Sequence, residues 1–183
     1  VGSGKTSELI SLRNDYSSDK DVICIYIDVS GGNKAPVPFR TILFGLAVES
    51  IINLLSTRQD EFKGNGSDYN AINDIAQLIY SGHTKKRSFL EHELRMFRGW
   101  NLKTLNPISD EAIPQLVFAT KHLKERYIDQ DIVLLFDGLD RLSNLGEFFD
   151  IIDFDIQQMR SIGVGSVTVA QLPARNWGDG LLR

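Results

Sequence analysis

The chain has 183 residues, of which 42% are hydrophobic and 24% are charged, and its formal net charge is -4. This composition is ordinary for a globular domain with a sizeable core and excludes a low-complexity chain. The acidic balance disfavours a general nucleic-acid-binding protein, but a basic cluster, HTKKR at residues 83–87, leaves a nucleic-acid or protein partner open beside the simpler reading as a solvated loop.

The chain opens with VGSGKTSEL, which matches the second half of a phosphate-binding loop. In the pattern G-x-x-x-x-G-K-[ST], Gly4, Lys5 and Thr6 take the last three places, and the first glycine would fall before Val1. The sequence also lacks an initiator methionine. We therefore expect a fragment of a longer protein that begins after the first strand of its sheet.

Hydrophobic spacing predicts that helices and strands alternate after this loop. Helices are expected over residues 7 to about 16 and 38 to about 56. Between them, residues 21–30 are expected to form a strand that is apolar on both faces, as a strand in the centre of a parallel sheet would be. The apolar stretch 41–55 contains Glu49 and is shorter than the roughly 20 residues of a membrane-spanning helix, so we interpret it as a core helix. Cys24, the one cysteine, is interpreted as a buried strand residue, which fits a reducing cytoplasm.

The second half of the chain continues the alternation after a less regular region. Residues 57–107 read as a variable or inserted helical region, with helices near 70–80 and 88–97. A helix over 110 to about 127 precedes a fully buried strand over 131–137. A mainly helical segment over 144–160, with a break in it, then leads to a third strand over 165–173.

This alternation predicts an α/β fold with a parallel sheet and helices on both faces. Ligands of such folds bind at the carboxyl ends of the strands. Asp28, Asp137 and Gln171 each stand at the end of a predicted strand. We therefore expect them to gather near the glycine loop.

The glycine loop has the chemistry of a phosphate site. Gly2 and Gly4 allow successive backbone N–H groups to turn toward an anion, and the following helix adds the positive end of its dipole. Lys5 supplies a charge for the β- and γ-phosphates, and the Thr6 hydroxyl a ligand for Mg²⁺. A flexible terminal loop is the simpler alternative. The predicted nucleotide-binding residues are Gly2, Ser3, Gly4, Lys5, Thr6, Ser7 and Gln171.

A second motif, IVLLFDGLDRL, ends a buried strand in an acidic turn. Asp137 is predicted to hold Mg²⁺ with Thr6, directly or through a water, and Asp140 to polarise the attacking water. The alternatives are a strand-end turn for Asp137 and a helix cap for Asp140. If both motifs serve one Mg²⁺–ATP, the glycine loop and this acidic turn must face each other.

With both motifs in view, the chain resembles the P-loop ATPases of the AAA and STAND group. DGLD is most similar to the NACHT type, whereas Arg141 after it resembles the KAP type. The resemblance implies a partial P-loop NTPase domain over residues 1–183, with a three-layer fold whose first strand is missing. It also implies ATP-dependent self-association and a γ-phosphate sensor at Gln171, for which a solvent-facing turn residue is the alternative. Arg175 is an arginine finger or forms a surface ion pair, and Arg141 likewise either acts as the finger or pairs with a nearby acidic side chain.

One departure from the AAA pattern bears on the rate. Gly138 stands where AAA proteins carry a glutamate directly after the Walker B aspartate. Hydrolysis then depends on Asp140 or on groups outside this chain, and we expect a slow ATPase acting as a regulatory or defence switch. A nucleic-acid-handling or remodelling ATPase and a nucleotide-binding scaffold that never hydrolyses ATP are the alternatives.

Overall fold

A computed structural model describes residues 4–29, 40–56, 66–79, 107–139 and 145–168. Within these ranges the chain forms five helices and three strands. In chain order they are α1 Lys5–Ser17, β1 Val22–Asp28, α2 Ile42–Ser56, α3 Gly66–Ile79, α4 Ile113–Tyr127, β2 Asp131–Asp137, α5 Leu145–Ser161 and β3 Val164–Thr168.

The three strands form one parallel sheet in the order β1-β2-β3, which confirms the predicted α/β class. Among the described strands β2 is central and β1 lies at one end, so the interpretation of β1 as a central strand is wrong within this part of the sheet. The sequence of β1 is apolar on both faces for another reason. Its alternate side chains point toward two different sets of helices, and most of them are half-buried.

Helices cover both faces of this sheet. On one face Ile132, Leu134 and Phe136 of β2 belong to the main hydrophobic core, together with side chains of α2, α3, α4 and α5. On the other face α1 contacts β1 and β2, and Leu9 of α1 and Leu135 of β2 are buried outside that main core. This division into helix, sheet and helix follows from the period of two along β2.

Helix α2 forms the centre of the main core. Every side chain from residue 41 to residue 52 is buried, and α2 contacts α3, α4 and α5. The predicted core helix is therefore confirmed. In the ranges that the structure describes, no helix combines the length and the apolar character needed to cross a membrane.

Helix α5 runs without interruption from Leu145 to Ser161, so the predicted break is wrong. Its described buried side chains, which include Ile152, Asp155 and Met159, recur every three or four residues and keep one face on the core. Asp155 is acidic and buried on this face, and backbone N–H groups outside α5 donate to its carboxylate. The predicted helix 88–97 and the end of the predicted third strand, 169–173, lie outside the described residues.

The start of α2 is held by this aspartate of another helix. The Asp155 carboxylate accepts the backbone N–H groups of Thr41 at 2.8 Å and Leu43 at 2.7 Å, with Phe44 at 3.4 Å. The N–H groups at the start of a helix have no partner inside it, and Asp155 fulfils from α5 the role that a neighbouring cap residue usually has. The contact fixes α2 against α5.

Candidate functional site

The glycine loop and the acidic turn meet through a side-chain hydrogen bond. The Thr6 hydroxyl at the start of α1 donates to Asp137 Oδ2 at the end of β2, at 2.7 Å and across 131 positions of sequence. The sequence predicts that these two segments face each other, and this proximity is confirmed. A hydroxyl and a carboxylate are thus brought together at the carboxyl edge of the sheet.

The N-terminus of α1 lies beside this pair. Gly4 is the N-cap residue and has φ 74°, a left-handed conformation that glycine adopts without the strain of a side chain. A Cβ placed on Gly4 would meet no atom within 4 Å, so the backbone conformation rather than crowding requires glycine. Gly4 has no side chain with which to cap the helix at this end. The first-turn N–H groups and the positive end of the helix dipole are therefore suited to an anion.

Two further donors hold the Asp137 carboxylate. The Tyr26 hydroxyl of β1 donates to the same oxygen, Oδ2, at 2.6 Å, and the Gly138 N–H donates to Oδ1 at 2.8 Å. Tyr26 is the register partner of Leu135, two residues before Asp137, so its ring lies on the same face of the sheet and reaches along it. Three donors from three segments fix the orientation of one half-buried carboxylate.

Gly138 has φ 78° and is buried. An L-residue in this left-handed region costs about 1–2 kcal/mol. The backbone after Asp137 therefore accounts for a glycine where the AAA pattern has glutamate. This turn also brings the Gly138 N–H onto the Asp137 side chain.

Asp28 adds a second carboxylate to the same edge. It is the register partner of Asp137 at the end of β1 and is exposed. The Asp137 carbonyl accepts the backbone N–H of Val29 at 2.9 Å, which keeps the two strand ends together. Asp28 and Asp137 thus gather at one edge, as the sequence predicts.

The donor set fits a hard cation that arrives with its own oxygen ligands. A hydroxyl that donates its proton keeps its lone pairs, so Thr6 can offer oxygen to a cation while it remains bonded to Asp137. Mg²⁺ usually binds through one or two carboxylates and completes its shell with water and substrate phosphates. In the described part of the chain, no group of three or more histidine, cysteine, aspartate or glutamate side chains could hold a metal alone. The Thr6 hydroxyl and the Asp137 carboxylate match the protein's share of a Mg²⁺–phosphate shell.

The structure describes only some of the other predicted site residues. Ser7 is exposed in the first turn of α1, and Lys5 begins that helix, although its side chain is outside the described structure. The basic cluster 83–87 lies outside the described residues. So do six of the predicted residues: Gly2, Ser3, Asp140, Arg141, Gln171 and Arg175.

Cys24 on β1 is partly buried, and burial raises the pKa of its thiol more than the charge of Arg13 lowers it. The thiolate is the reactive form of cysteine, so this shift supports the interpretation of Cys24 as an unreactive strand residue.

Comparison with protein-family models, curated proteins and solved structures finds no match to this chain.

Sequence reasoning did not identify Tyr26 as a site residue. Its position carries a signal, because Tyr26 is two residues before Asp28 and a period of two places both on one face of β1. The signal becomes specific only with the register, which aligns Asp28 with Asp137.

Proposed function

We propose that this chain binds ATP with Mg²⁺ at the junction of α1 and β2 and hydrolyses it slowly as part of a regulatory switch. The observation that carries the proposal is the hydrogen bond between Thr6 and Asp137. It joins the Thr6 hydroxyl, which the phosphate-loop pattern assigns to Mg²⁺, with Asp137, the strand-end carboxylate that a Mg²⁺–nucleotide site requires.

Each part of the nucleotide has a suitable group at this junction. The uncapped start of α1 offers N–H groups and a positive dipole end to the phosphates. Lys5 adds a full positive charge, and Thr6 and Asp137 would hold the metal. When bound, Mg²⁺ would neutralise charge on the β- and γ-phosphates. The protein's own contribution is to hold these groups in fixed positions before the ligand arrives.

The proposed fold is a three-layer P-loop NTPase domain of the AAA and STAND group, most similar to the NACHT type. Three observations support it: the strands are all parallel, their order in the sheet follows the chain, and helices cover both faces. The carboxyl edge, where parallel α/β proteins bind ligands, is also where Thr6 reaches Asp137.

Slow hydrolysis follows from the turn after β2. Gly138 provides no carboxylate for activating water, and its φ of 78° disfavours a substituted residue there. The proposed water-polarising group is Asp140. We expect turnover well below the roughly 10 s⁻¹ of a median enzyme, and self-association in the ATP-bound state. Replacing Asp140 by asparagine should preserve ATP binding and reduce the rate.

Calorimetric titration with Mg²⁺–ATP tests the binding site directly. The wild-type protein should bind, and Lys5→Ala should lose binding because the phosphates lose their main charge partner. Lys20→Ala is the matched control, since Lys20 is an exposed lysine in the turn after α1, and it should bind as the wild type does. Equal affinity of Lys5→Ala and Lys20→Ala would contradict the proposed site.

A further inference from the structure

We propose that Tyr26 is a positioning residue that makes the Asp137 site selective for Mg²⁺ over Ca²⁺; this inference rests on the proposed function. Tyr26 lies outside the phosphate-loop and strand-end motifs and comes from a different strand. Its hydroxyl nevertheless donates to Asp137 Oδ2 at 2.6 Å, beside the Thr6 hydroxyl at 2.7 Å.

One carboxylate oxygen can accept only a small number of hydrogen bonds. A carboxylate has about four lone-pair sites over two oxygens, so Oδ2 has two of them. In Asp137 the hydroxyls of Thr6 and Tyr26 both donate to Oδ2. A cation that coordinates Asp137 through both oxygens would have to displace one of these donors. Tyr26 therefore opposes bidentate coordination.

Ca²⁺ and Mg²⁺ differ in how readily they bind a carboxylate through both of its oxygens. Ca²⁺ takes six to eight oxygen ligands in flexible geometry and often binds a carboxylate through both oxygens. Mg²⁺ requires a near-octahedral shell and usually keeps several waters. A carboxylate whose second oxygen is held by Tyr26 can serve the Mg²⁺ geometry through a single oxygen or a bound water. The same carboxylate serves Ca²⁺ less well.

The position of Tyr26 makes this constraint rigid. The ring is half-buried on a strand paired with β2 over its whole length, and Val29 ties the end of that strand to the Asp137 carbonyl. Side chains around a metal site that orient its ligands commonly change metal affinity by 10–100-fold when they are replaced. Tyr26 acts through Asp137 and needs no contact with the nucleotide.

The test is the affinity of ATP in Mg²⁺ and in Ca²⁺, measured by calorimetry for wild type, Tyr26→Phe and Tyr127→Phe. Tyr127 is the matched control because its hydroxyl also donates to an aspartate, Asp68, on a different helix pair. Tyr127 is the last residue of α4, and β2 begins four residues later at Asp131; the six steps of that strand separate Asp131 from Asp137 by about 20 Å.

We expect Tyr26→Phe to lower the ratio of Mg²⁺–ATP to Ca²⁺–ATP affinity by about tenfold. Tyr127→Phe should leave the ratio at its wild-type value. A purely structural role of Tyr26 would weaken both metal forms equally and leave the ratio unchanged. Thermal unfolding of the three proteins shows whether each variant is folded at the temperature of the titration.

The outcomes separate this inference from the proposed function. If the wild type binds Mg²⁺–ATP and Tyr26→Phe keeps the wild-type ratio, Tyr26 does not set metal selectivity, and the nucleotide site stands. The same conclusion applies if both phenylalanine variants change the ratio equally. If the wild type binds ATP with neither metal, the proposed function and this inference are both wrong.

Discussion

At the scale of single residues, the geometry of the carboxyl edge of the sheet depends on the side chains that contact Asp137 and on Gly138. Asp137 receives hydrogen bonds from Thr6, Tyr26 and the Gly138 N–H, so its orientation is set by three segments of the chain. The Gly138 N–H that makes the last of these bonds belongs to a residue with a left-handed backbone. A substitution there should affect both the turn and the carboxylate.

We predict that Gly138→Ala lowers the free energy of unfolding by about 1–2 kcal/mol, because alanine at φ 78° is strained. Gly165→Ala is the control. Gly165 lies in β3 without a positive φ, and its added Cβ would meet Val133 Cγ2 at 3.5 Å and the Ile132 carbonyl oxygen at 3.6 Å, which is ordinary contact. Urea unfolding measures both variants. Similar losses in the two variants would mean that the turn conformation is not responsible.

At the scale of elements, contacts between helices depend on two buried aspartates. Asp155 of α5 accepts three N–H groups at the start of α2, and Thr41, which has φ 81°, also accepts the backbone N–H of Ile108 at 2.9 Å through its hydroxyl. Asp68 of α3 joins α4 through the Tyr127 hydroxyl and through Arg126, 3.3 Å from its carboxylate. Each carboxylate holds two helices together.

Asp155 also makes the stability of this helix junction depend on pH. Burial raises the pKa of its carboxyl from the ordinary 3.8 to about 6, and the N–H groups of Leu43, Thr41 and Phe44 and the charge of Arg40 offset only part of this shift. Among the described residues, Arg40 is a charged group that acts on Asp155; it pairs with Asp110 at 3.3 Å and lies over the Phe154 ring at 3.8 Å.

The raised pKa means that the folded protein binds this proton more tightly than the unfolded chain does. The contribution of Asp155 to stability is therefore complete below about pH 4 and decreases as the pH rises toward 6. The full decrease is on the order of 3 kcal/mol, from a shift of about two units at 1.36 kcal/mol each.

Asp155→Asn tests this dependence because asparagine has a similar shape and does not titrate. Urea unfolding of both proteins between pH 4 and pH 7 gives their difference in stability at each pH. We expect the wild type to lose stability relative to the variant across this range. If the stability difference between wild type and variant stays constant with pH, Asp155 is not the titrating group. If the wild type gains stability relative to the variant as the pH rises, the N–H donors lower the pKa of Asp155 more than burial raises it.

At the scale of the whole molecule, much of the fold could be predicted from local sequence. β2 was predicted with its observed bounds because a five-residue apolar run stands between Asp131 and Asp137. The predicted meeting of Thr6 with Asp137 followed from the rule that parallel strands present ligand sites at their carboxyl edge. Both predictions required only the spacing of residue types and the general geometry of parallel sheets.

The features that were missed depend on contacts between distant positions. The cap of α2 joins Asp155 to Thr41 across 114 positions, and the bond of Tyr26 to Asp137 spans 111. No local pattern shows that an aspartate caps another helix. Strand register and helix packing supply this information, and both are properties of the assembled fold.

The same assembly gives two phenylalanines opposite environments. Phe44 of α2 is 0% exposed in the main core, whereas Phe118 of α4 is 76% exposed. We predict that Phe44→Ala lowers the free energy of unfolding by about 3–5 kcal/mol, because it leaves a cavity among packed helices. Phe118→Ala, the matched control, should change it by less than about 0.5 kcal/mol. Urea unfolding measures both variants. Comparable losses would contradict the burial of α2 described by this fold, since the two substitutions remove the same atoms and differ only in what surrounds them.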